Sequence, residues 1–451
     1  MINARISQDA DREKLIACAD SAFGDSVPVG GFAGLLPKLY GPGARVGGNH
    51  LIAEEDGEIL GVVLAEPMEY RVFGERLKIA SVGTVSVAGQ ARGRGIMRLL
   101  MDETMRRLRE EGFDLAFLGG QRQRYAYWGF QGCGTQMGFS WNQANLKHGS
   151  ELPQEERVEL VPMGVPVAES HTSDGAAVES RTVDSAAVES RTVEGASTDS
   201  LPKNTLREAD PRLTEAAWRM WAGEEVGVRR DRERFFDILC SWQGKPYACM
   251  RQGRFAGYVV LGPSEDEGYA RILEMVLEDG VSVLALLHAL SGDLGITRGS
   301  VKPGYIKQGQ MRELEEFCEG ESLGCSQRFL ILDWCRVLRA MMTMKQHVRP
   351  LEDGEIILGI TGEDGKRTGV WIRIREGCLT VAGEEERNLP RPEQKEETGS
   401  EDMHVPVRRE LTAAQAARLL FRSTQVFYKE LEGLPAGWFP LPLYVSEQDC
   451  C

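Results

Sequence analysis

The stretch Val85–Met101, VSVAGQARGRGIMRLLM, joins an apolar alternating run to the start of a helix through Gln90-Ala-Arg-Gly-Arg-Gly95. Such a loop either turns the chain or binds an anion. The first turn of a helix has unpaired N–H groups and a partial positive charge, and glycines allow close approach of the backbone. No Gly-Lys-Ser/Thr or GxGxxG pattern is present. Because two arginines flank the glycines, the segment predicts a strand, an anion-binding loop and a helix.

The segment after Gly95 has the apolar spacing of an amphipathic helix. The predicted apolar face consists of Ile96, Leu99, Leu100, Met105 and Leu108. Asp102/Arg106 and Glu103/Arg107 are i,i+4 pairs on the other side. Gly112 then predicts the end of this helix.

The rest of the chain predicts strands and helices in mixed order, and therefore an α/β (α+β) fold. Asp56-Gly57 and Gln252-Gly253 each separate two apolar runs and indicate hairpins. After the second hairpin, another strand and helix are joined by Leu277-Glu278-Asp279-Gly280, where acidic side chains would repel a phosphate. This second unit is therefore predicted to be scaffold.

Gln-x-x-Gly-x-Gly between an apolar strand and an amphipathic helix resembles motif A of the GNAT N-acetyltransferases. Tyr125-Ala-Tyr-Trp-Gly-Phe130, thirty residues after Gly95, resembles the Tyr-x-x-x-Gly-Phe segment of that superfamily. The order of the blocks is similar to that of the enhanced intracellular survival acetyltransferases. This resemblance implies tandem GNAT folds, each with a mixed central sheet flanked by helices, followed by a C-terminal sterol-carrier-protein-2-like α+β domain.

The predicted boundaries follow composition and this resemblance. Residues 1–150 form the catalytic GNAT domain, 205–327 a degenerate GNAT-like domain and 328–451 the sterol-carrier-like domain. Residues 164–204 form a low-complexity linker, because a ten-residue unit is repeated within Ala176–Ala196.

The resemblance also implies the site residues. Val85 to Val87 would hold the pantetheine arm of acetyl-CoA, and the loop and helix start would hold its pyrophosphate. The cofactor-binding residues expected are Val85, Val87, Gln90, Arg92, Gly93, Arg94, Gly95 and Ile96. Arg122 and Arg124 either contact coenzyme phosphate or face solvent.

Direct acyl transfer needs a donor for the carbonyl oxygen and a donor for the departing thiolate, and no covalent nucleophile. The Val87 N–H and the Tyr125 hydroxyl are expected in these two roles. In the resembled family the terminal carboxylate receives or orients the amine, so Cys451 is expected to act catalytically. Glu447 or Asp449 are the alternatives.

Composition restricts the partners. The formal net charge of −15 argues against a nucleic-acid binder and is compatible with cationic small molecules. No signal peptide, membrane span or metal-ligand spacing is recognised, so we expect a cytoplasmic protein without metal. The resemblance suggests a homo-oligomer, commonly a hexamer.

The predicted function is acetyl-CoA-dependent N-acetylation of an amine on a cationic small molecule, aminoglycoside-like or polyamine-like, without a covalent intermediate. One alternative acceptor is a protein lysine or N-terminus. In a further alternative the protein is non-catalytic and serves binding of an apolar ligand or assembly.

Overall fold

The computed structural model describes residues 2–24, 27, 30–120, 122–148, 152–166, 206–304, 308–388, 406–423 and 432–451. The predicted repeat Ala176–Ala196 lies outside these residues. In this part of the chain no helix is both long and apolar enough to span a membrane.

The secondary structure of the described residues alternates between strands and helices. The strands are β1 (Asn3–Ile6), β2 (His50–Glu55), β3 (Glu58–Val72), β4 (Glu75–Val87), β5 (Leu115–Leu118), β6 (Gln131–Cys133), β7 (Gln136–Asn142), β8 (Glu159–Pro162), β9 (Gly164–Pro166), β10 (Leu206–Ala209), β11 (Val226–Val228), β12 (Lys245–Arg251), β13 (Arg254–Leu261), β14 (Tyr269–Leu277), β15 (Arg298–Val301), β16 (Gly320–Gly324), β17 (Gln327–Ile331), β18 (Gly354–Thr361), β19 (Arg367–Arg375), β20 (Cys378–Gly383) and β21 (Val407–Thr412). The helices are α1 (Arg12–Phe23), α2 (Gly31–Leu35), α3 (Pro37–Tyr40), α4 (Ile96–Glu110), α5 (Arg122–Tyr125), α6 (Gln143–His148), α7 (Pro211–Gly223), α8 (Phe235–Cys240), α9 (Val283–Leu294), α10 (Gln308–Phe317), α11 (Trp334–Val348) and α12 (Ala413–Phe421).

Local sequence accounts for the hairpins and for the helix after the glycine-rich loop. Asp56-Gly57 and Gln252-Gly253 have positive φ at both residues, as two-residue hairpin turns of type I′ require. Helix α4 buries Ile96, Leu100, Met101, Thr104, Met105 and Leu108. Leu99, predicted on this face, is 42% exposed, because it lies about 150° around the helix from the centre of the buried stripe.

The first sheet has the strand order β1-β2-β3-β4-β5-β17-β6, with β11 added beside β3. Its only parallel pair among the described strands is β4 with β5. One face packs on α1 to α4, and the other packs on the C-terminal region, including α11.

The second sheet has the order β16-β7-β15-β14-β13-β12-β8, and β14 runs parallel to β15. Its two faces are covered by α9 and α7 respectively. The two sheets exchange strands: β7 lies in the second sheet and β17 in the first. The sheets therefore do not follow the predicted boundaries at 150 and 327, because the pairing partner of a short strand is set by distant chain segments.

A third sheet, of order β20-β19-β18-β21, lies with α11 and α12 in the C-terminal region. Thr412 caps α12, and its side chain accepts the Gln415 N–H in a capping box. Val370, Ile372 and Ile374 alternate along β19 and are buried, and so is Trp371. Together the sheets give the mixed α/β fold with flanking helices that the sequence predicted.

Candidate active site

The site begins where two parallel strands separate. Strands β4 and β5 pair only at Ile79–Ser81 with Leu115–Phe117, yet β4 continues to Val87. Beyond this point a cleft of about 670 Å³ lies beside the end of β4. Its wall is formed by Ala22, Phe23, Val85, Ser86, Val87, Ala91, Arg92, Gly93, Gly95, Ile96, Met97, Arg98, Arg124 and Trp128. Such a volume accommodates an extended small molecule.

A bulge in β4 lies at the narrow end of this cleft. The register against β3 shifts between Val62/Ser86 and Leu64/Gly83, which inserts one extra residue into β4. Thr84 there has a φ of 48°, a strained conformation for a β-branched residue. A bulge of this kind redirects the backbone at the cleft.

A buried polar chain stabilises the bulge. The Tyr40 hydroxyl lies 2.7 Å from Thr84 Oγ1 and 2.9 Å from His50 Nε2, and His50 Nδ1 lies 3.0 Å from the Val46 carbonyl oxygen. Since that carbonyl only accepts, Nδ1 carries the proton, Tyr40 donates to Nε2 and Thr84 donates to Tyr40. Burial lowers the pKa of His50 to about 4, so its imidazole is neutral.

The backbone of β4 has hydrogen-bonding groups directed into the cleft. Ala88 N–H donates to Leu60 O of β3, and Val62 pairs with Ser86 in the same register. Because antiparallel partners alternate, Val87 directs its N–H and C=O away from β3, toward the cleft. The buried Ser86 hydroxyl also lies on the cleft wall, beside the Cys18 thiol of α1.

The glycine-rich loop leads into α4 with left-handed backbone at Gly93 (φ 79°) and Gly95 (φ 76°). Gly95 is the N-cap, and no side chain caps the helix, so the first N–H groups remain available. A Cβ built on either glycine meets nothing within 4 Å. The start of α4 is therefore open to an anion.

The predicted cofactor-binding residues divide into two groups. Val85, Val87, Arg92, Gly93, Gly95 and Ile96 line the cleft. Gln90 is exposed and Arg94 forms an ion pair with Glu55 at 2.7 Å; neither lies on the cleft wall. Their roles remain predictions.

Arg98 lies on the cleft wall and was not predicted from the sequence. Its guanidinium hydrogen-bonds the Tyr127 hydroxyl and lies 5.1 Å from the centroid of that ring. Its position one turn into α4, at i+3 from Gly95, could have suggested this placement.

Tyr125 lies at the end of α5, which follows β5, is 7% exposed and is not among the residues of the cleft wall. Its ring packs against Gly120 and Trp128, and its neighbour Arg124 reaches the cleft wall. Burial raises the pKa of Tyr125 above its ordinary value, so the hydroxyl keeps its proton at neutral pH.

Cys451 lies beside β4 at the point where β4 and β5 separate, which is called the apex below; it is not among the residues of the cleft wall. Its N–H donates to Ser81 Oγ at 3.1 Å. A Cβ built on Gly83 would lie 2.5 Å from the carbonyl carbon and oxygen of Cys451, so the absence of a side chain at Gly83 makes room for this residue.

Lys38 of α3 fixes the backbone just before Cys451. Its ammonium donates to the carbonyl oxygens of Gln448 and Cys450, both at 2.5 Å, and the side chain is buried. Trp242 Nε1 also donates to Cys450 O at 3.2 Å. Sequence reasoning missed Lys38, because the contact joins residues about four hundred positions apart.

Glu66 on β3 faces the region around Cys451 and Lys38. It is the direct cross-strand partner of Ser81, so the two side chains share one face of the sheet. Asn49 Nδ2 donates to Glu66 Oε2 at 2.9 Å, and no hydrogen-bond partner of Oε1 is seen among the described residues. Burial raises the pKa of Glu66.

The two acidic alternatives to Cys451 have other partners. Asp449 is buried against Arg230, with a separation of 2.8 Å, and Glu447 forms an ion pair with Arg271 at 2.8 Å. Neither lies on the cleft wall. Cys451 is not on the cleft wall either, but it alone of the three candidates contacts Ser81 and Gly83 of β4, where β4 and β5 separate.

The second sheet repeats this layout with a closed helix start. Strand β14 leads through Glu278-Asp279-Gly280 into α9. The Glu313 carboxylate accepts the Val283 N–H at 2.6 Å and the Ser282 hydroxyl at 2.8 Å. The chain's own carboxylate thus occupies the position that an anion would take.

Comparison with known proteins agrees with this geometry. A model of the acetyltransferase (GNAT) domain matches residues 3–133. No curated protein matches the chain. Two similar solved structures each have 14% sequence identity to this chain and a TM-score of 0.53. The match to the GCN5-related N-acetyltransferase from Kribbella flavida covers 88% of this chain and 86% of that chain. The match to Eis1 from Mycobacterium abscessus covers 92% of this chain and 88% of that chain. At this identity the structures establish the fold.

Residues 3–133 therefore match a GNAT acetyltransferase domain, and this match supports an N-acetyltransferase enzyme. Domains of this class use acetyl-CoA as the acetyl donor. Among the described residues, no group of three or more His, Cys, Asp or Glu side chains is arranged to bind a metal ion.

Proposed function

We propose that the first domain transfers acetyl from acetyl-CoA to an amine of a cationic small molecule by direct attack, with Cys451 and Tyr125 as catalytic residues. The observation that carries this proposal is the position of Cys451, at the point where β4 and β5 separate. Along the chain, the β4 residues that contact Cys451 come directly before Val85–Val87 of the cleft wall, and the open start of α4 follows.

The residues present fit acetyl-CoA. The Val87 C=O offers a hydrogen bond to an amide of the pantetheine arm, and the Ser86 hydroxyl lies on the same wall. The first N–H groups of α4, with Arg92 beside them, offer a site for the pyrophosphate. When bound, acetyl-CoA supplies an acetyl group activated as a thioester.

The chain's own groups then have three tasks. The α-carboxylate of Cys451 accepts a proton from the acceptor ammonium, which frees the nitrogen lone pair. The Val87 N–H stabilises negative charge that develops on the carbonyl oxygen. The Tyr125 hydroxyl, protonated at neutral pH, donates its proton to the sulfur as the C–S bond breaks and the C–N bond forms, and the second proton that the nitrogen loses restores the Tyr125 hydroxyl.

A cationic acceptor is supported by the charge at the apex. Glu66 has one carboxylate oxygen without a hydrogen-bond partner among the described residues, and it lies on the same sheet face as Ser81, which binds Cys451. A second ammonium on the acceptor would pair with this carboxylate, and such charge-assisted hydrogen bonds are stronger than neutral ones.

A thiol-release assay tests the proposal with three acceptor classes: a polyamine or aminoglycoside, a neutral monoamine and a lysine-containing peptide. We expect the polycationic small molecules to have the highest kcat/KM. Replacing Glu66 by Gln should raise KM for polycations about tenfold and leave the monoamine unchanged. Faster peptide acetylation would favour a protein acceptor, and absence of turnover with every amine would contradict the proposal.

A further inference from the structure

The last six residues, Ser446–Cys451, run from the second domain into the apex of the first. Ser446 donates to Glu274 of β14 at 2.6 Å, and Glu447 pairs with Arg271 of the same strand. Gln448 and Cys450 accept from Lys38 of the first domain, as described above. The segment that ends at Cys451 therefore contacts both domains.

A buried ion cluster adds a further contact to this segment. Arg230, which follows β11, pairs with Glu274 through two parallel hydrogen bonds of 2.7 Å. It also binds Asp449 through Nε at 2.8 Å and Nη2 at 3.0 Å. The side chains of all three residues are at most 5% exposed.

The cluster fixes the guanidinium of Arg230 in orientation as well as in position. The centroid of the Trp221 ring lies 3.7 Å from the guanidinium carbon of Arg230, and the Tyr258 hydroxyl donates to Glu274 at 2.9 Å. A planar guanidinium can form two parallel hydrogen bonds to one carboxylate and bind a second carboxylate in the same plane. A lysine ammonium cannot do this, because its charge is compact and its donors do not lie in one plane.

We propose that Arg230 is a positioning residue for acetyl transfer: by binding Asp449 against Glu274, it holds Cys451 at the apex. This inference rests on the proposed function of Cys451. It assigns a role to the second domain, whose own helix start is closed by Glu313. Its strand β14, the counterpart of β4, supplies the carboxylate that anchors the segment ending at Cys451.

The first experiment replaces Arg230 by Gln and, separately, Asp449 by Asn. A displacement of a catalytic group by about 1 Å can lower the rate about 10²-fold. We therefore expect kcat to fall about 10²-fold in Arg230→Gln. In Asp449→Asn, which keeps the Arg230–Glu274 pair, kcat should fall about tenfold or more. The dissociation constant of acetyl-CoA, measured by calorimetry, should stay within about twofold. Arg230→Lys should fail to restore kcat.

Arg271→Gln is the matched control, because Arg271 also lies on β14 and pairs with the same segment, but is 44% exposed. Its kcat should stay within about twofold of the parent value. Should Arg230→Gln not fold, the test is carried by Asp449→Asn. Unchanged kcat in Asp449→Asn would overturn the proposal, and so would an equal loss in the Arg271 control.

A double-mutant cycle separates the two proposals. Deletion of Cys451 alone should lower kcat, and Asp449→Asn should cause no further loss in the deleted chain. If deletion alone has no effect, the proposed function of Cys451 fails. If deletion lowers kcat and Asp449→Asn lowers it again by the same factor as in the full chain, the positioning role fails while the function of Cys451 stands.

Discussion

Tyr125 combines a buried ring with a hydroxyl that retains its proton at neutral pH. Replacement by Phe keeps the packing against Gly120 and Trp128 and removes the donor. We expect kcat to fall about 10²-fold to 10⁴-fold, the usual contribution of a general acid, with little change in KM for acetyl-CoA.

Steady-state kinetics with a fixed polyamine acceptor measures this effect. Tyr247→Phe is the control, because Tyr247 lies on β12 of the second sheet and burial also raises its pKa. Equal kcat values for Tyr125→Phe and the parent protein would remove Tyr125 from the chemistry.

Gly83 provides a steric test of the apex. An added Cβ would lie 2.5 Å from the carbonyl carbon of Cys451, so Gly83→Ala must displace that residue. We expect kcat to fall about tenfold to 10²-fold. Gly292→Ala, where a Cβ meets nothing within 4 Å, should leave kcat unchanged. A fully active Gly83→Ala protein would be inconsistent with the proposed role of Cys451.

The sequence predicted the residues near motif A better than those at the apex. Val85, Val87, Gly93 and Gly95 are local to one strand–loop–helix unit, so the resemblance to motif A was enough to group them in one site. Lys38, Glu66 and Ser81 meet Cys451 only through the folded chain. No periodicity in the sequence encodes such long-range contacts.

At the scale of elements, the open start of α4 is predicted to govern cofactor affinity. Gly93→Glu places a carboxylate where the pyrophosphate is expected, and like-charge repulsion should raise KM for acetyl-CoA more than tenfold. Gly253→Glu is the matched control, because both glycines have positive φ and open space around them. Titration calorimetry with coenzyme A checks the result; equal affinities in both variants would contradict it.

The polar chain at the β4 bulge predicts a pH dependence of stability. Burial lowers the pKa of His50 from 6.5 to about 4, so the unfolded chain binds a proton more readily than the folded one. Stability from this group is complete above pH 6.5 and is lost as pH falls toward 4. This difference in the pKa of His50 between the unfolded and the folded chain corresponds to about 3 kcal/mol in the free energy of unfolding.

Thermal unfolding at pH 7.5 and pH 4.5 tests this expectation. His50→Gln removes the titrating group, so the variant should lose less stability on acidification than the parent protein, by about 2–3 kcal/mol. An identical pH dependence in both proteins would show that His50 does not carry the effect.

The elements themselves were largely predictable, because hairpin turns and helix caps are local signals. The exchange of β7 and β17 was not. Both are short, and nothing in their own residues specifies which sheet edge they join. Leu99 shows the same limit within one helix, since its apolar character alone did not place it on the buried face.

For the whole molecule, tandem folds with unequal helix starts predict one acetyl-CoA bound per chain. Glu313 occupies the start of α9, and Glu278 and Asp279 add negative charge nearby. Calorimetric titration of the full chain should give a stoichiometry of one. A second equivalent site would contradict the assignment of the second domain as scaffold. The homo-oligomer and the cytoplasmic location stay predictions.

The exchange of β7 and β17 between the two sheets also bears on biosynthesis. Domains usually fold in order as they emerge from the ribosome. Here the catalytic sheet has β17 between β5 and β6, so it stays incomplete until residue 331 has been translated. The N-terminal domain cannot fold to completion ahead of its successor, and a chain interrupted in the second domain would carry the acetyl-CoA loop on an unfinished sheet.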